Sequence, residues 1–579
     1  MSLMSAANIA QNGLGVVEQQ IAVASNNITN ANNPGYTRET YTTDTFTLGN
    51  AVIALGGSVR TSVDANLNKE ITNQNSSTQM QSVLNTYLQS YDNSLGSIDS
   101  TSGSTLSSGL STLTSALTSL SGNPSLSSSK SAVISAAQNL TSQLNNLSST
   151  LQNARLQANQ QMGASVTTIN STLADLASIN KEITQATVNT NTADMQDQRD
   201  TDLQTLSGLM GIQYNMNSDG QVQVYTTSGQ LLLSGSNAAS LNYTPSQDVS
   251  NATTYPGGFP GVTLQGVDIT TGITTGALGA LIQLRDTTLP NEQSKLDALA
   301  NSMQTTVNAA LNQGASVPPR TTLTGSAVVN GTDAFVGTGT VRIAVTDNTG
   351  TVQNYADIDL SSYNTVNKVI NAINGMGGVI ASVNSSGNLV ITSANPSDGI
   401  SINQGSSTID GTSQGFSSYF GLNNMFDGTN GASDIHVSNY LQANPGYLAS
   451  GTLSASGTLT GGEIGITAGD NSTANNMLSA LTTPATLPAA GDFAAQTTTF
   501  SGYIAAIIGG VATSASSAQT ASTNSQSVLT ALQNTASNED GVNIDQETAN
   551  AATLENAYSA TAKILSTIDS MFTTLLQNI

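Results

Sequence analysis

Eight apolar residues near the start of the chain, Leu3, Ala7, Ala10, Leu14, Val17, Ile21, Ala24 and Ile28, follow one another by alternating steps of four and three. This is the a/d spacing of a heptad seam. The far end repeats it: Leu554, Tyr558, Thr561, Leu565, Ile568, Phe572, Leu575 and Ile579 keep the same stepping, with Thr561 its polar member. A solitary surface helix needs a wider apolar stripe and no strict register. Two narrow seams, one at each end, predict terminal helices that pair with each other, with other copies, or both.

What lies between is too long for one core. At 579 residues the chain exceeds the roughly 250 to 300 at which single cores stop growing. Helical spacing dominates the first two hundred residues. Leu106, Leu110, Leu113, Leu117 and Leu120 form one helix, stopped at Gly122 and Pro124. A longer one carries Ala137, Leu140, Leu144, Leu147, Leu151, Ala154 and Ala158, and resumes at Val166, Ile169, Leu173, Leu176 and Ile183 after a stutter at Met162 and Gly163.

From Gly211 the period becomes two, with Asp219-Gly220 and Ser228-Gly229 as hairpin turns. Helix returns from about Asp286 to Asn312. After Pro318 and Pro319, two hairpins flank a helix carrying Val366, Val369, Ile370 and Ile373, and helix resumes near Phe500, broken at "NEDGVN". The expected fold class is multidomain α+β, with terminal coiled-coil helices and a long helical bundle enclosing β-rich outer domains. The expected division is 1–60 pairing with 540–579; a helical rod domain, 61–210, completed by about 286–313 and 500–539; a β-rich domain, 211–285, with about 432–499; and an inserted α+β domain, 321–431.

Charged residues make up only 8% of the chain, and 36 Asp and Glu against 13 Lys and Arg give a net charge of −23. That balance argues against nucleic acid and anionic lipid as partners, since both need basic patches. With no cysteine there are neither disulfides nor thiolate metal sites. No apolar run reaches the length of a membrane span, and the N-terminus lacks the basic region of a secretory signal. The expectation is a protein that stays in the cytoplasm or leaves by a route that cleaves no signal.

After the first seam comes "NNITNANNPGYTRET". Asparagines cap helix ends, Pro34 disfavours helix at Asn33, and Gly35 supplies free dihedrals, so the stretch reads as a terminator and bend. The segment resembles the motif shared by bacterial flagellar axial proteins, the rod, hook and hook-associated subunits. The resemblance is carried by Asn26, Asn27, Ile28, Asn30, Pro34, Gly35, Tyr36 and Arg38, with Thr29 in place of the usual Ala. The C-terminal segment is similar to the matching family end at Gly541, Val542, Asn543, Ala557, Tyr558, Ala562, Met571, Phe572 and Leu575, with Leu565 and Ile568 on the same seam. In the middle, "DQRD" at 197–200, "LIQLRD" at 281–286, "YFGLNNMF" at 419–426 and "GDNSTANNMLSAL" from Gly469 resemble the hook-filament junction members of that family.

The resemblance implies a structural subunit of the flagellum, with no catalytic site and no cofactor. Its implied partners are further copies of itself in a homo-oligomer, the hook protein, the next hook-associated protein and a cytoplasmic export chaperone. It implies a secreted location at the hook-filament junction, reached through the flagellar type III route. Alternatives are another hook-associated or flagellin-type subunit, or a secreted adhesin. An enzyme would have to use His436, the one histidine, with Ser413 in "GTSQG", where polar sequence stands in place of a nucleophile elbow's buried strand. "GTGTVR" at 337–342 precedes a strand rather than a helix and reads as a turn. Asp357 and Asp359 alternate along a strand and read as a solvated face.

Overall fold

The computed structural model describes residues 3–33, 36–48, 51–61, 64–97, 105–186, 192–217, 219–409, 411, 414–457 and 459–577. The chain begins with α1 (Leu3–Asn30) and a hairpin of β1 (Glu39–Leu48) and β2 (Ala51–Thr61). Four helices follow: α2 (Ala65–Leu95), α3 (Leu106–Gly122), α4 (Ser127–Gln185) and α5 (Ala193–Leu209). Next come β3 (Ile212–Met216), β4 (Val222–Thr226) and β5 (Leu231–Ser234), paired in order, and then α6 (Gly276–Gln283). A π turn at Leu284–Thr288 leads from α6 into α7 (Leu289–Leu311). An α+β unit holds α8 (Val366–Gly375) and α9 (Phe416–Phe420). The return path has α10 (Asn439–Ala443), α11 (Ser472–Thr482), α12 (Phe500–Glu539) and α13 (Ile544–Gln577).

The terminal helices pack on each other. A side chain added at Gly13 would lie 4.0 Å from Thr561, and Arg38, beyond the other end of α1, pairs with Glu547 at the start of α13, so the helices run antiparallel. Thr561, the polar member of the seam, thus faces a glycine. Ile568 is buried, and Leu554, Thr561, Leu565 and Phe572 are half-buried. Two expected seam members depart from this. Tyr558 is exposed, because two helices alone leave the flank of the stripe open, and Leu575 is exposed because α13 runs past Leu3. Ile579 lies outside the described residues.

The helical body is organised by α4, 59 residues without a break. Leu140, Leu144, Leu147, Leu151, Ala158, Met162, Val166, Ile169 and Leu173 are buried along one face. Gly163, at the stutter, lets a loop cross closely, since a side chain there would come within 2.6 Å of Pro245. At the turn around Leu151 the interior position belongs to Arg155, while Ala154 is half-buried. The Arg155 guanidinium donates to the carbonyls of Arg285, Ser250 and Thr253. It shares the ring of Phe259 with the fully buried Arg285, which is paired to Asp286 at 2.7 Å. Helix also begins earlier than the expected Asp286. The run from Gly276 is short and apolar up to Ile282, with Gly276, Leu278, Gly279, Ala280 and Leu281 buried, so it carries little amphipathic signal.

The α+β unit has two three-stranded antiparallel sheets and a short pair, Gly337–Thr338 with Thr408–Ile409. One sheet is formed by Thr322–Val328, Asn388–Ser393 and Val379–Val383; the other by Val352–Asp359, Thr340–Asp347 and Asp398–Asn403. Its core runs from Leu323 to Leu422, with Val366, Val369, Ile370 and Ile373 of α8 inside it. Met425 and Phe426, within the expected 321–431 segment, belong instead to the core of the helical body. Asparagines fasten the crossing. Asn308 accepts the amides of Met425 and Phe426 and donates to the Phe426 carbonyl. Asn312 receives Ser417 and the Asn423 amide, and Asn423 donates back to Leu311 and Gly314.

Lys130, 3% exposed at the start of α4, reaches both connectors of this crossing. Its Nζ donates to Val317 at 3.2 Å and Gly446 at 3.0 Å, and among the described residues no carboxylate pairs with it. Burial pushes its pKa down from 10.5 to about 8. Above pH 8 the unfolded chain therefore holds this proton more firmly than the folded one, and Lys130's contribution to stability rises with pH until about 10.5. Thermal unfolding across that window should show this rise, and Lys130→Met should flatten it. An unchanged slope in the variant would assign it to other groups.

Candidate assembly joint

The stretch between α1 and β1 is built around Asn27, which is 1% exposed. Its Nδ2 donates to the Glu39 carbonyl at 2.9 Å, and its Oδ1 accepts the Glu39 amide at 2.9 Å and the Tyr36 hydroxyl at 3.0 Å. The carboxamide thus satisfies the first residue of β1 as a neighbouring strand would, while its own backbone completes a helix. Beyond α1, the Asn33 amide donates to Asn30 O at 2.9 Å and its side chain to Asn30 Oδ1 at 2.7 Å. The Tyr36 amide then donates to Asn33 O at 3.2 Å. Ile28 and Asn30 are half-buried, and Asn26 is exposed. Pro34 and Gly35 lie outside the described residues. Burial, reinforced by the charges of Glu39 and Asp197, pushes the Tyr36 phenol up, so it stays a hydrogen donor.

The next two residues seat this corner on the body and on α13. Thr37 gives its amide to Asp197 Oδ2 at 3.1 Å and its hydroxyl to Oδ1 at 2.5 Å. Arg38 Nε donates to Glu547 Oε1 at 2.7 Å, and its amide to the Asp540 carbonyl at 2.8 Å. Glu547 is buried, so this is a charge-assisted bond largely withdrawn from water, a kind worth roughly 1.5 to 3 kcal/mol. Below the hairpin, Thr61 donates to Gln196, the Asp64 amide to Asp540 Oδ2, and Asn68 to Asp200. Burial lifts the carboxyls of Asp197, Asp200 and Asp540, opposed by Thr37, by Arg199 and by the Asp64 amide respectively.

The C-terminal motif forms the opposite wall. Asn543 Oδ1 accepts the Gln546 amide and its carbonyl accepts that of Glu547, which starts α13. Gly541 is there because a side chain would lie 2.1 Å from the Ser537 carbonyl. Between the two motifs a crevice of about 480 Å³ remains, lined by Tyr36, Thr37, Asn68, Asp197, Asp540 and Val542 among others.

The structure therefore brings Asn27, Tyr36, Arg38, Gly541, Val542 and Asn543 to one place. Tyr558, Leu565, Ile568, Phe572 and Leu575 lie along α13, away from it. Sequence reasoning missed Thr37, Asp197, Asp540 and Glu547 as partners. An arginine in a chain this poor in basic residues demands a carboxylate, but nothing local says which of 36 acids supplies it. Elsewhere, His436 is exposed, with Nδ1 2.7 Å from the Asp434 carbonyl, and Ser413 lies outside the described residues. Arg342 clamps Asp357 in a bidentate pair, and Asp359 caps a short helical turn. Gly339 of "GTGTVR" has φ of +71°, as a turn requires. No described helix is long and apolar enough to cross a membrane.

Comparison with known proteins fits this geometry. Residues 88–325 match the family model described as the flagellar hook-associated protein FlgK helical domain. Residues 534–578 match that of the flagellar basal body rod FlgEFG protein C-terminal domain. No curated protein matched the chain. Among solved structures, the flagellar hook junction protein FlgK from Burkholderia pseudomallei shares the fold with a TM-score of 0.52 at 18% identity, over 81% of this chain and 99% of that one. The helical body thus matches the FlgK helical-domain model, and the C-terminal helix that α1 covers matches the rod-type model.

Proposed function

We propose that the chain is the structural subunit that joins the flagellar hook to the filament, a role of assembly rather than catalysis. The observation that carries this reading is the FlgK-type helical domain set between paired terminal helices. Met4, Ile564, Met571, Leu575 and Leu576 leave much apolar surface open on that pair. The pair is the assembling element: a coiled coil between α1 and α13, completed by the same helices of neighbouring copies, so that the subunits form a homo-oligomer. The hook protein lies on one side and the next hook-associated protein on the other. In the monomer these helices are weakly held, since the pair leaves much of its apolar surface open and Gly13 and Gly15 each lower helicity by about 0.5 to 1 kcal/mol. They order on assembly, after export by the flagellar secretion route with a cytoplasmic chaperone covering the C-terminal seam.

The test is a deletion strain. It is expected to make hooks without filaments and to export filament subunits into the medium, with swimming restored by the intact gene. Filaments of normal length on the deletion strain would overturn the reading, and loss of the hook itself would move the subunit below the junction.

A further inference from the structure

The chain holds four Asn-Gly pairs, at Asn12, Asn330, Asn374 and Asn430. In this dipeptide the glycine's lack of a side chain lets its backbone nitrogen approach the carboxamide in front of it. Three of the pairs are restrained. Asn12 and Gly13 lie inside α1, where the helix holds the backbone away from the cyclic geometry. Asn374 is pinned at both ends of its amide, donating to the Ala381 carbonyl at 3.0 Å and accepting the Ala381 amide at 2.7 Å. Asn430 donates its side-chain amide to Asp434 at 2.8 Å, and Gly431 is buried.

Asn330 differs on each count. It is exposed, in the turn after the strand Thr322–Val328, and among the described residues nothing binds its carboxamide or the Gly331 amide. We propose that Asn330 is a self-modification site of the folded protein, deamidating through a succinimide formed with Gly331. The deprotonated Gly331 nitrogen bonds to Asn330 Cγ, and the side-chain nitrogen leaves as ammonia after taking up a proton. Water then opens the ring at one carbonyl or the other, giving aspartate or isoaspartate. Only water is consumed, and no electrons are exchanged.

The turn is also a structural seat. Asn330 donates its amide to Asp333 Oδ2 at 2.7 Å and accepts the Asp333 amide at 2.9 Å. The Gly331 carbonyl accepts Asn367 at 2.7 Å and the Asp333 carbonyl accepts Val366 at 3.2 Å, so the turn holds the first residues of α8. Isoaspartate reroutes the main chain through the side chain and sets a second carboxylate beside Asp333. The conversion therefore loosens the seat of α8 without touching the terminal helices.

The experiment ages the full-length folded protein at mildly alkaline pH and follows all four peptides by mass spectrometry, with isoaspartyl methyltransferase as the probe of the linkage. The Asn330 peptide is expected to convert at least about tenfold faster than those of Asn374 and Asn430, a difference that should collapse when the protein is aged in denaturant, while the Asn12 peptide reports how firmly α1 is held before assembly. Equal rates in the folded state, or faster conversion at Asn430, would overturn the assignment. Asn330→Gln should remove the methyltransferase signal from that peptide; a signal that persists would place the reaction elsewhere in it.

Discussion

A chain carrying both Leu565→Asp and Phe572→Asp is expected to be folded in its middle and absent from the flagellum. Both residues are half-buried on the face of α13 that meets α1, one on each side of the buried Ile568. Two carboxylates there place charge where apolar surface closes. Losing two half-buried large apolar contacts costs roughly 1 to 1.5 kcal/mol each, about half the value for full burial, before any penalty for the charges. The helical body has its own core, which contains no residue of α13, so its thermal transition should match that of the unaltered chain. The cells should make hooks but neither filaments nor swimming motion. Normal filaments on the double variant would show that the C-terminal seam is dispensable.

The second large effect is expected at Asn27. Asn27→Ala leaves the amide and carbonyl of Glu39 and the Tyr36 hydroxyl without the partner they share. Losing a bond of this kind costs about 1 to 3 kcal/mol, so the three together should cost the corner on the order of 3 to 9 kcal/mol. Few folded contacts at one end of a chain withstand that. The result to look for is loss of hydrogen-exchange protection at the Glu39 amide together with loss of motility, while the amides of α4 exchange as before. Tyr36→Phe removes one of the three bonds and should give an intermediate effect. Full protection at Glu39 in the Asn27→Ala chain would mean that the strand start is held by the hairpin alone.

The terminal helices could be read from sequence because one stripe of apolar residues recurs at a fixed spacing, and Leu3 to Asn30 and Ile544 to Gln577 are each a single helix. The same logic failed at α6, whose eight residues are apolar up to Ile282 and so offer little contrast between faces. It also failed at Arg155, because a guanidinium wrapped in carbonyls and stacked on Phe259 occupies an interior place that apolar counting gives to Ala154. At the joint, sequence supplied Asn27, Tyr36 and Arg38 but not their meaning. The carboxylate of Arg38, Glu547, stands 509 residues away, and the neighbouring Thr37 meets Asp197 160 residues on, distances that only the folded chain closes. Met425 and Phe426 show the converse. They read as part of the α+β unit because they follow its core residues directly, yet a few residues of chain were enough to carry them into another core.

The unbroken run of α4 has a mechanical consequence. At about 1.5 Å per residue its 59 residues span roughly 90 Å, and it is braced at intervals: by Lys130 on the connectors of the α+β unit, by Asn145 on Ala432 and Ile435, by Arg155 on the Ser250 loop, and by Asn180 on Val222. A strut fixed at so many points carries bending and torsion with little local give. At the joint the ties between the two motifs gather on one side of an open crevice, Arg38 on Glu547 and on the Asp540 carbonyl and the Asp64 amide on Asp540. A load on such a subunit would pass stiffly along α4, and the joint, with its open crevice, is where it would give first.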